Sequence, residues 1–334
     1  MRLSRIALVV LLSFASCVHA FAWDDFGHEI IAAIAWTKLT RNAKVKIAEI
    51  LNTGDQVTIR NQNTGEFHTI DFSIPKWSPH ITDIVLETTV RDKFIRCAAW
   101  ADDIKFGKSK NFDDLINSYS AGTHGVESVP NGERSRLRFW HYINLPITGS
   151  DGKKHGYPAA NAVDAIAMAR LALNPISYHK EIWEQKPMFL FLLIHIVGDL
   201  HQPLHCCTNY QFGKKGDAGG NRFQLANGNL HYLWDNGIDL AAAHEGEQFD
   251  PSASHVANRW LKDSQYLPSI SQRKILDPMK WADEGRTLAI RDAYNIQQGA
   301  TPSNAYLAKM ANDSKRQALL AGYRLAGVLN DIFK

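Results

Sequence analysis

The sequence predicts an all-α fold: a single, mainly helical domain with one small β-hairpin insertion. Three observations carry this. Apolar residues recur at helical spacing near 28–50, 89–105, 159–173, 180–200, 229–242, 252–263, 279–295 and 303–333. Strand-like alternation appears in QVTIRNQNTGEFHTIDF (56–72), two runs around Asn63-Thr64-Gly65 that read as a hairpin. No low-complexity linker or internal repeat divides the 334 residues, a length that suits one large domain.

The first 22 residues, MRLSRIALVVLLSFASCVHAFA, combine two arginines, an apolar stretch too short to span a bilayer, and small residues. This is the pattern of a secretory signal peptide, leaving 23–334 as the mature domain. Cleavage after Ala20 or after Ala22 fits, and lipid attachment at Cys17 is a rival weakened by Phe14. No later segment is a continuous membrane span, so the mature chain is expected to be exported, secreted or periplasmic, and monomeric. Losing Arg2 and Arg5 takes the formal charge from +3 to +1, which is no basic footprint. A nucleic-acid partner would therefore need charge supplied locally, as metal ions supply it. Cys97, Cys206 and Cys207 remain, and an exported protein permits one disulfide, from Cys97 to either of the pair.

Taken in order, His28 opens the first helical pattern and Thr40 can cap the second. Next come the hairpin and a helical stretch ending in WADDIK, where Asp102-Asp103 by itself reads as a solvated helix end. Residues 106–135 are polar and loop-like. FWHYINLP places His141 among aromatic and β-branched residues, where a structural histidine is the ordinary reading. In GDAGGN (216–221), Gly219 and Gly220 permit close backbone approach and Asn221 offers both donor and acceptor, although Gly-Gly is a weak phosphate signal. A second WAD, Trp281-Ala282-Asp283, has no histidine near it and reads with Glu284 as a charged helix start. Asn312-Asp313-Ser314 fits a glycosylation acceptor.

The most informative stretch is FLLIHIVGDLHQPLHCC (191–207). His195 and Asp199 interrupt an apolar helix four residues apart, on one face, and His201 and His205 follow around Pro203, which ends the helix. One such pair is ordinarily a hydrogen-bonded couple in a core. A second, His231 and Asp235 in NLHYLWDNGI, points instead to a metal site, because imidazole and carboxylate together make the donor set of zinc.

WDDFGH, WADDIK, WHYIN, HIVGDLHQPLH, DAGGN and HYLWD stand in the order and form of the S1/P1 nucleases, secreted zinc-dependent single-strand nucleases, and the resemblance runs from Trp23 to the C-terminal RLAGVLNDIF. It implies an all-α domain of the phospholipase C/nuclease type holding three zinc ions in a cleft. Trp23, through a free α-amino nitrogen and its carbonyl, would bind one ion with His28. Asp102, His141 and His195 would hold a second, Asp199 would bridge the two, and His205, His231 and Asp235 would hold the third. His201 is a motif residue but not a ligand. The resemblance also implies hydrolysis of single-stranded DNA and RNA to 5′-phosphate ends, with 3′-nucleotides losing their phosphate. Asp199, Lys105 and Asn221 would serve catalysis, and Tyr142, Asn144 and Asn221 the substrate.

The chain departs from the family at two site residues, and its segments before Asp102 and before His141 are longer than usual. Lys105 stands where an arginine is typical, giving a point charge without the bidentate fork. Asn144 stands where an aspartate is common, which alters the base pocket while Tyr142 keeps a stacking surface. The alternative enzyme is a zinc-dependent phospholipase C, whose ligand set typically ends in glutamate where this chain has Asp235. A non-catalytic zinc protein is the third reading, weakened because structural zinc sites are normally closed and four-coordinate.

Overall fold

The computed structural model describes residues 23–53, 57–60, 67–70, 83–99, 101–102, 137–147, 156–157, 161–174, 186–212, 215–243 and 252–334. Helices α1 (Asp25–Lys38) and α2 (Arg41–Thr53) precede strands β1 (Val57–Arg60) and β2 (Phe67–Ile70). Helix α3 (Asp83–Val85) passes through a π turn at Leu86–Val90 into α4 (Arg91–Arg96). Then come α5 (Leu137–Trp140), strand β3 (Leu145–Ile147), α6 (Ala162–Leu173), α7 (Lys186–Asp199), a 3-10 turn at Pro203–Cys206 and strand β4 (Cys207–Asn209). The remainder holds α8 (Leu230–Asp235), α9 (Gly237–Ala243), α10 (Ala253–Trp260), α11 (Ile270–Arg273), α12 (Pro278–Leu288), a π turn at Ala289–Ala293, and α13 (Asn304–Ile332). The fold is mainly helical, as its periodicity predicts.

Two helices set the architecture. Every residue of α7, KPMFLFLLIHIVGD, is buried, and α1 buries an unbroken run from Ile30 to Trp36. Helices apolar on all sides belong at the centre, and the rest of the chain surrounds them. α1 packs chiefly on α13, α10 and α4, and α7 on α6 and α13. Local chemistry starts the outer helices where the sequence places them. Asp24 caps α1 through the Gly27 N–H at 2.9 Å, Thr40 accepts from the Ala43 N–H at 3.2 Å, and Asn161 and Asp164 form a capping box on α6.

The expected hairpin is present as an antiparallel pair in which Val57 faces Ile70 and Arg60 faces Phe67. The polar stretch 106–135 lies outside the described residues. The pattern at 229–242 is two helices, α8 and α9, broken at Asn236. Helix α7 ends at Asp199, four residues before Pro203. The residue before a proline is driven out of the helical region, and Gln202 accordingly takes ψ 116° and caps the 3-10 turn through the Leu204 N–H at 2.6 Å.

Two expectations differ from the structure. The anticipated disulfide is not formed: Cys97, Cys206 and Cys207 are all free and buried. Cys206 Sγ faces the Leu200 carbonyl at 3.2 Å and Cys207 Sγ the Pro203 carbonyl at 3.6 Å, so each thiol is engaged within its own turn. Asn312-Asp313-Ser314 lies within α13, with Ser314 fully buried and Asn312 exposed, its Oδ1 accepting from the Tyr266 hydroxyl. Asp283 and Glu284 are not a helix start: α12 begins at Pro278, which puts both mid-helix, and Glu284 pairs at 2.7 Å with Arg324, a guanidinium buried in the core. Among the described residues no helix is long and apolar enough to cross a membrane.

Candidate metal centre

Eight side chains from six separate segments converge below the end of α7. His28 comes from the second turn of α1, Asp102 from the WAD turn after α4, and His141 from the turn after α5. His195 and Asp199 project from one face of α7, His205 from the 3-10 turn, and His231 and Asp235 from one face of α8. All eight are at least 95% buried. Their donor atoms fall into three compact groups: His28, Asp102 and His195; His141, His195 and Asp199; and His205, His231 and Asp235. The first two share His195 and are contiguous, since Asp102 also lies 3.7 Å from His141 Nδ1. The grouping therefore sets Asp102 with His28 as well as with His141.

Asp199 stands at the middle. Its Oδ2 lies 2.8 Å from His141 Nδ1 and 3.3 Å from His195 Nε2, while Oδ1 turns to His28 Nε2 at 3.3 Å and His205 Nδ1 at 3.9 Å. In the third group, Asp235 reaches His231 Nε2 at 3.8 Å and His205 Nε2 at 4.0 Å. The rings are ordered by stacking, His28 on His195 with centroids 3.8 Å apart and His205 on His231 at 4.9 Å.

Backbone carbonyls choose the tautomers. His195 Nδ1 lies 2.7 Å from Ala98 O, His205 Nδ1 2.5 Å from His141 O, and His231 Nδ1 2.6 Å from Gly219 O. A carbonyl can only accept, so each Nδ1 carries a proton and Nε2 is the nitrogen left to ligate whenever the ring is neutral. Such outer contacts are what orient imidazole ligands. A parallel pair places two of these elements side by side, with Leu145 of β3 opposite Cys207 of β4, and both the Ile143 and Asn144 N–H groups point to the His205 carbonyl.

The cluster fits a metal. Apart from the 3.3 Å contact between His28 Nε2 and Asp199 Oδ1, neither ring nitrogen of His28 nor that oxygen has a hydrogen-bond partner, although both residues are enclosed. Buried charge and unsatisfied polar atoms are costly unless a counter-charge meets them. Burial and the His195 ring push the His28 pKa down and keep it in the neutral, ligating form. Burial also opposes protonation of His195, but the Asp199 and Asp102 carboxylates outweigh it and raise the group to about 9. Burial would raise Asp199, yet the His195 and His141 rings hold it well below the usual carboxylate range. No cysteine stands in any of the three groups, which leaves N/O donors as the ligand set, and burial pushes the thiols of Cys97 and Cys206 well above their usual range.

The remaining sequence candidates are placed as follows. The Trp23 ring is fully buried, and its Nε1–H donates to Gly198 O at 3.0 Å, while the Asp24 N–H reaches the Asp235 carbonyl at 3.4 Å. This puts the Trp23 backbone between the ends of α7 and α8. Tyr142 is half-buried, adjoining His141, with its carbonyl held by the Ala162 N–H at 3.1 Å. Asn144 has φ 54°, so its side chain type also suits a left-handed backbone, which asparagine tolerates. Asn221 Nδ2 donates to Ala218 O at 2.8 Å. Lys105 lies outside the described residues. Asp283 stays apart on α12 in an exposed pair with Arg286, as a decoy should.

Sequence reasoning missed several supports. Gln202 donates to Asp235 Oδ1 at 2.6 Å, and its place between two histidines in HQPLH was the available signal. His201 is not among the donors. Its Nδ1 bonds Val197 O at 2.7 Å and its Nε2 meets Arg324 Nη1 at 3.1 Å, with burial and that cation lowering its pKa to about 3. Nothing in the local sequence announces Arg324. The Gly-Gly pair has a structural reason: a Cβ on Gly219, at φ 63°, would collide with the Leu204 carbonyl oxygen, and one on Gly220 would press on the His231 N–H.

Comparison with known proteins adds an independent line. Endonuclease 4 of Arabidopsis thaliana is 31% identical over 155 residues, 43% of this chain and 50% of the relative. Endonuclease 3 of the same plant is 32% identical over 155 residues, 43% and 51%. The chain thus spans about half the length of these two relatives. Endonuclease 2 aligns at 24% identity over 335 residues, 98% of this chain and 96% of its own. The profile of the S1/P1 Nuclease family matches residues 23–334, so the chain belongs to the S1/P1 nuclease family.

Proposed function

We propose that this protein is an exported, monomeric, zinc-dependent phosphodiesterase that cuts single-stranded DNA and RNA to 5′-phosphate products and removes the phosphate of 3′-nucleotides. The observation that carries the reading is the continuous run of enclosed His and Asp donors in three groups of three. Structural zinc is normally closed by four protein ligands, so groups this sparse favour open positions and catalysis. Relatives named endonucleases, and the family match, support nucleic acid as the substrate.

Three zinc ions are the expected complement. Trp23, His28, Asp102, His141, His195 and Asp199 would hold two, and His205, His231 and Asp235 the third. Bound there, zinc would supply the Lewis acidity that activates water and neutralises phosphoryl charge. The chain's own residues do the rest. Asp199, with one oxygen toward His28 and the other toward His141 and His195, is disposed to bridge two ions. The carbonyl-fixed tautomers hold lone pairs inward without rearrangement. Tyr142 offers an aromatic face for a base beside His141, which a paired base could use only after unstacking, at a cost of a few kcal/mol. Asn221 and Lys105 are the residues proposed to steady the phosphate, and Asn144 borders the base.

The test is zinc content measured together with cleavage of single-stranded DNA, RNA, duplex DNA and phosphatidylcholine by the processed protein. Preference for the single strands is expected, and equal rates on duplex would refute the substrate reading. Lipid cleavage at comparable rates would favour phospholipase C. Processing to Trp23 is part of the proposal, because a free α-amino group ligates readily whereas an amide nitrogen does not. Mass spectrometry of the exported protein checks it. An active, fully metallated form beginning upstream would refute the role given to the terminus.

A further inference from the structure

The DAGGN loop is held by a buried clamp that neither the ligand set nor the substrate pocket requires. Asp217 is fully buried, and its carboxylate accepts from three directions. Oδ1 takes the Asn209 N–H at 2.8 Å and the Thr208 hydroxyl at 3.4 Å, and Oδ2 takes the Tyr294 hydroxyl at 2.6 Å. The Thr208 hydroxyl in turn accepts from the Ala218 N–H at 3.1 Å. The loop then turns through φ 54° at Ala218 and 63° at Gly219, and the Gly219 carbonyl meets His231 Nδ1 at 2.6 Å. Tyr294 comes from far along the chain, just after the π turn at Ala289–Ala293. Its ring packs edge-on against Phe223 with centroids 5.8 Å apart, so ring packing and hydroxyl contact are separable.

We propose that Tyr294 and Asp217 are positioning residues that set the His231 imidazole for zinc, through the Gly219 carbonyl. The proposal rests on the metal reading above. The left-handed turn at Ala218 is unfavourable for a residue with a side chain, so the loop keeps this shape only while its anchor holds. Tyr294→Phe removes one hydroxyl and keeps the ring. The Asp217 carboxylate loses its strongest side-chain donor, the loop relaxes, and the Gly219 carbonyl drifts from His231. Outer contacts of this kind typically alter metal affinity by about 10–100-fold, and one acting through a loop belongs near 10-fold.

The experiment equilibrates the processed holoprotein against buffers of graded free zinc and counts the ions retained. His231→Ala identifies the ion that belongs to this group. Tyr294→Phe should release that ion at about 10-fold higher free zinc and keep the other two as in wild type, with Asp217→Asn behaving likewise or more severely. A merely structural role would lower the melting temperature of the metal-free protein and leave the zinc curve unmoved, which would overturn the clamp alone. Should Tyr294→Phe fail to fold, Thr208→Val, which strips the weaker contact to Asp217 and the acceptor of the Ala218 N–H, must show the same selective release, and its absence counts against the proposal. Equal zinc in wild type and His231→Ala would overturn the metal assignment, and the clamp with it.

Discussion

Gly198 sits where α7 crosses α1, one residue before Asp199, and a methyl group there tests the geometry of the centre. A Cβ at this position would stand 2.8 Å from His28 Nδ1 and 3.0 Å from its Cε1, with Ile31 Cδ1 at 3.3 Å. Ordinary contact begins at 3.4 Å, so the ring must retreat by roughly 0.6 Å. It cannot do so freely, because His28 is stacked on His195 at 3.8 Å with only 14° between the planes. Metal ligands tolerate about 0.2 Å of displacement, so Gly198→Ala should weaken zinc binding at the His28 group. Overpacking of this sort also costs about 1–3 kcal/mol, which at about 2–4 °C per kcal/mol lowers the melting temperature by several degrees. Gly322→Ala is the control. Its Cβ would press still closer on Ile34, where α13 meets α1, away from the donors. Both variants should melt earlier, but only Gly198→Ala should lose zinc, as read by metal analysis and thermal melts with and without chelator. Wild-type zinc content in Gly198→Ala would refute the place given to His28.

Three further outcomes are expected. Asp199→Asn should empty both contiguous groups and cut activity by more than about 100-fold, whereas Asp283→Asn, breaking one exposed pair, should alter stability by less than about 1 kcal/mol and leave zinc content unchanged. In the metal-free protein the raised His195 pKa contributes stability that is present below about 6.5 and lost as pH rises through about 9, so its melting temperature should fall over that interval, and zinc uptake should release protons there. A flat apo profile would remove the His195⁺–Asp199⁻ pair from the account. Ala218→Gly relieves a left-handed alanine and should leave zinc content intact while changing stability by no more than about 1 kcal/mol, checked by chemical denaturation.

Much of this protein is legible in its sequence because its strongest signals are local. The apolar periodicity of α1, α7 and α13, the cap at Thr40, and the paired His-x-x-x-Asp turns at His195–Asp199 and His231–Asp235 depend on residues within one or two helical turns of each other. His28, Asp102 and His141 lacked that advantage. None of them belongs to a His-x-x-x-Asp turn, and motif order brought them into the set before any geometry did. What needed tertiary structure were contacts across long separations: the Ala98, His141 and Gly219 carbonyls that fix three tautomers, Gln202 on Asp235, Arg324 against His201, and the Tyr294 hydroxyl on Asp217. The anticipated disulfide failed for the same reason, since the cysteine count permits a bond that only the packing of Cys97, Cys206 and Cys207 can grant or deny. Sequence determines which donors a chain carries and which face of a helix presents them; the orientation of each donor is set by groups distant in the chain, and only folding brings those together.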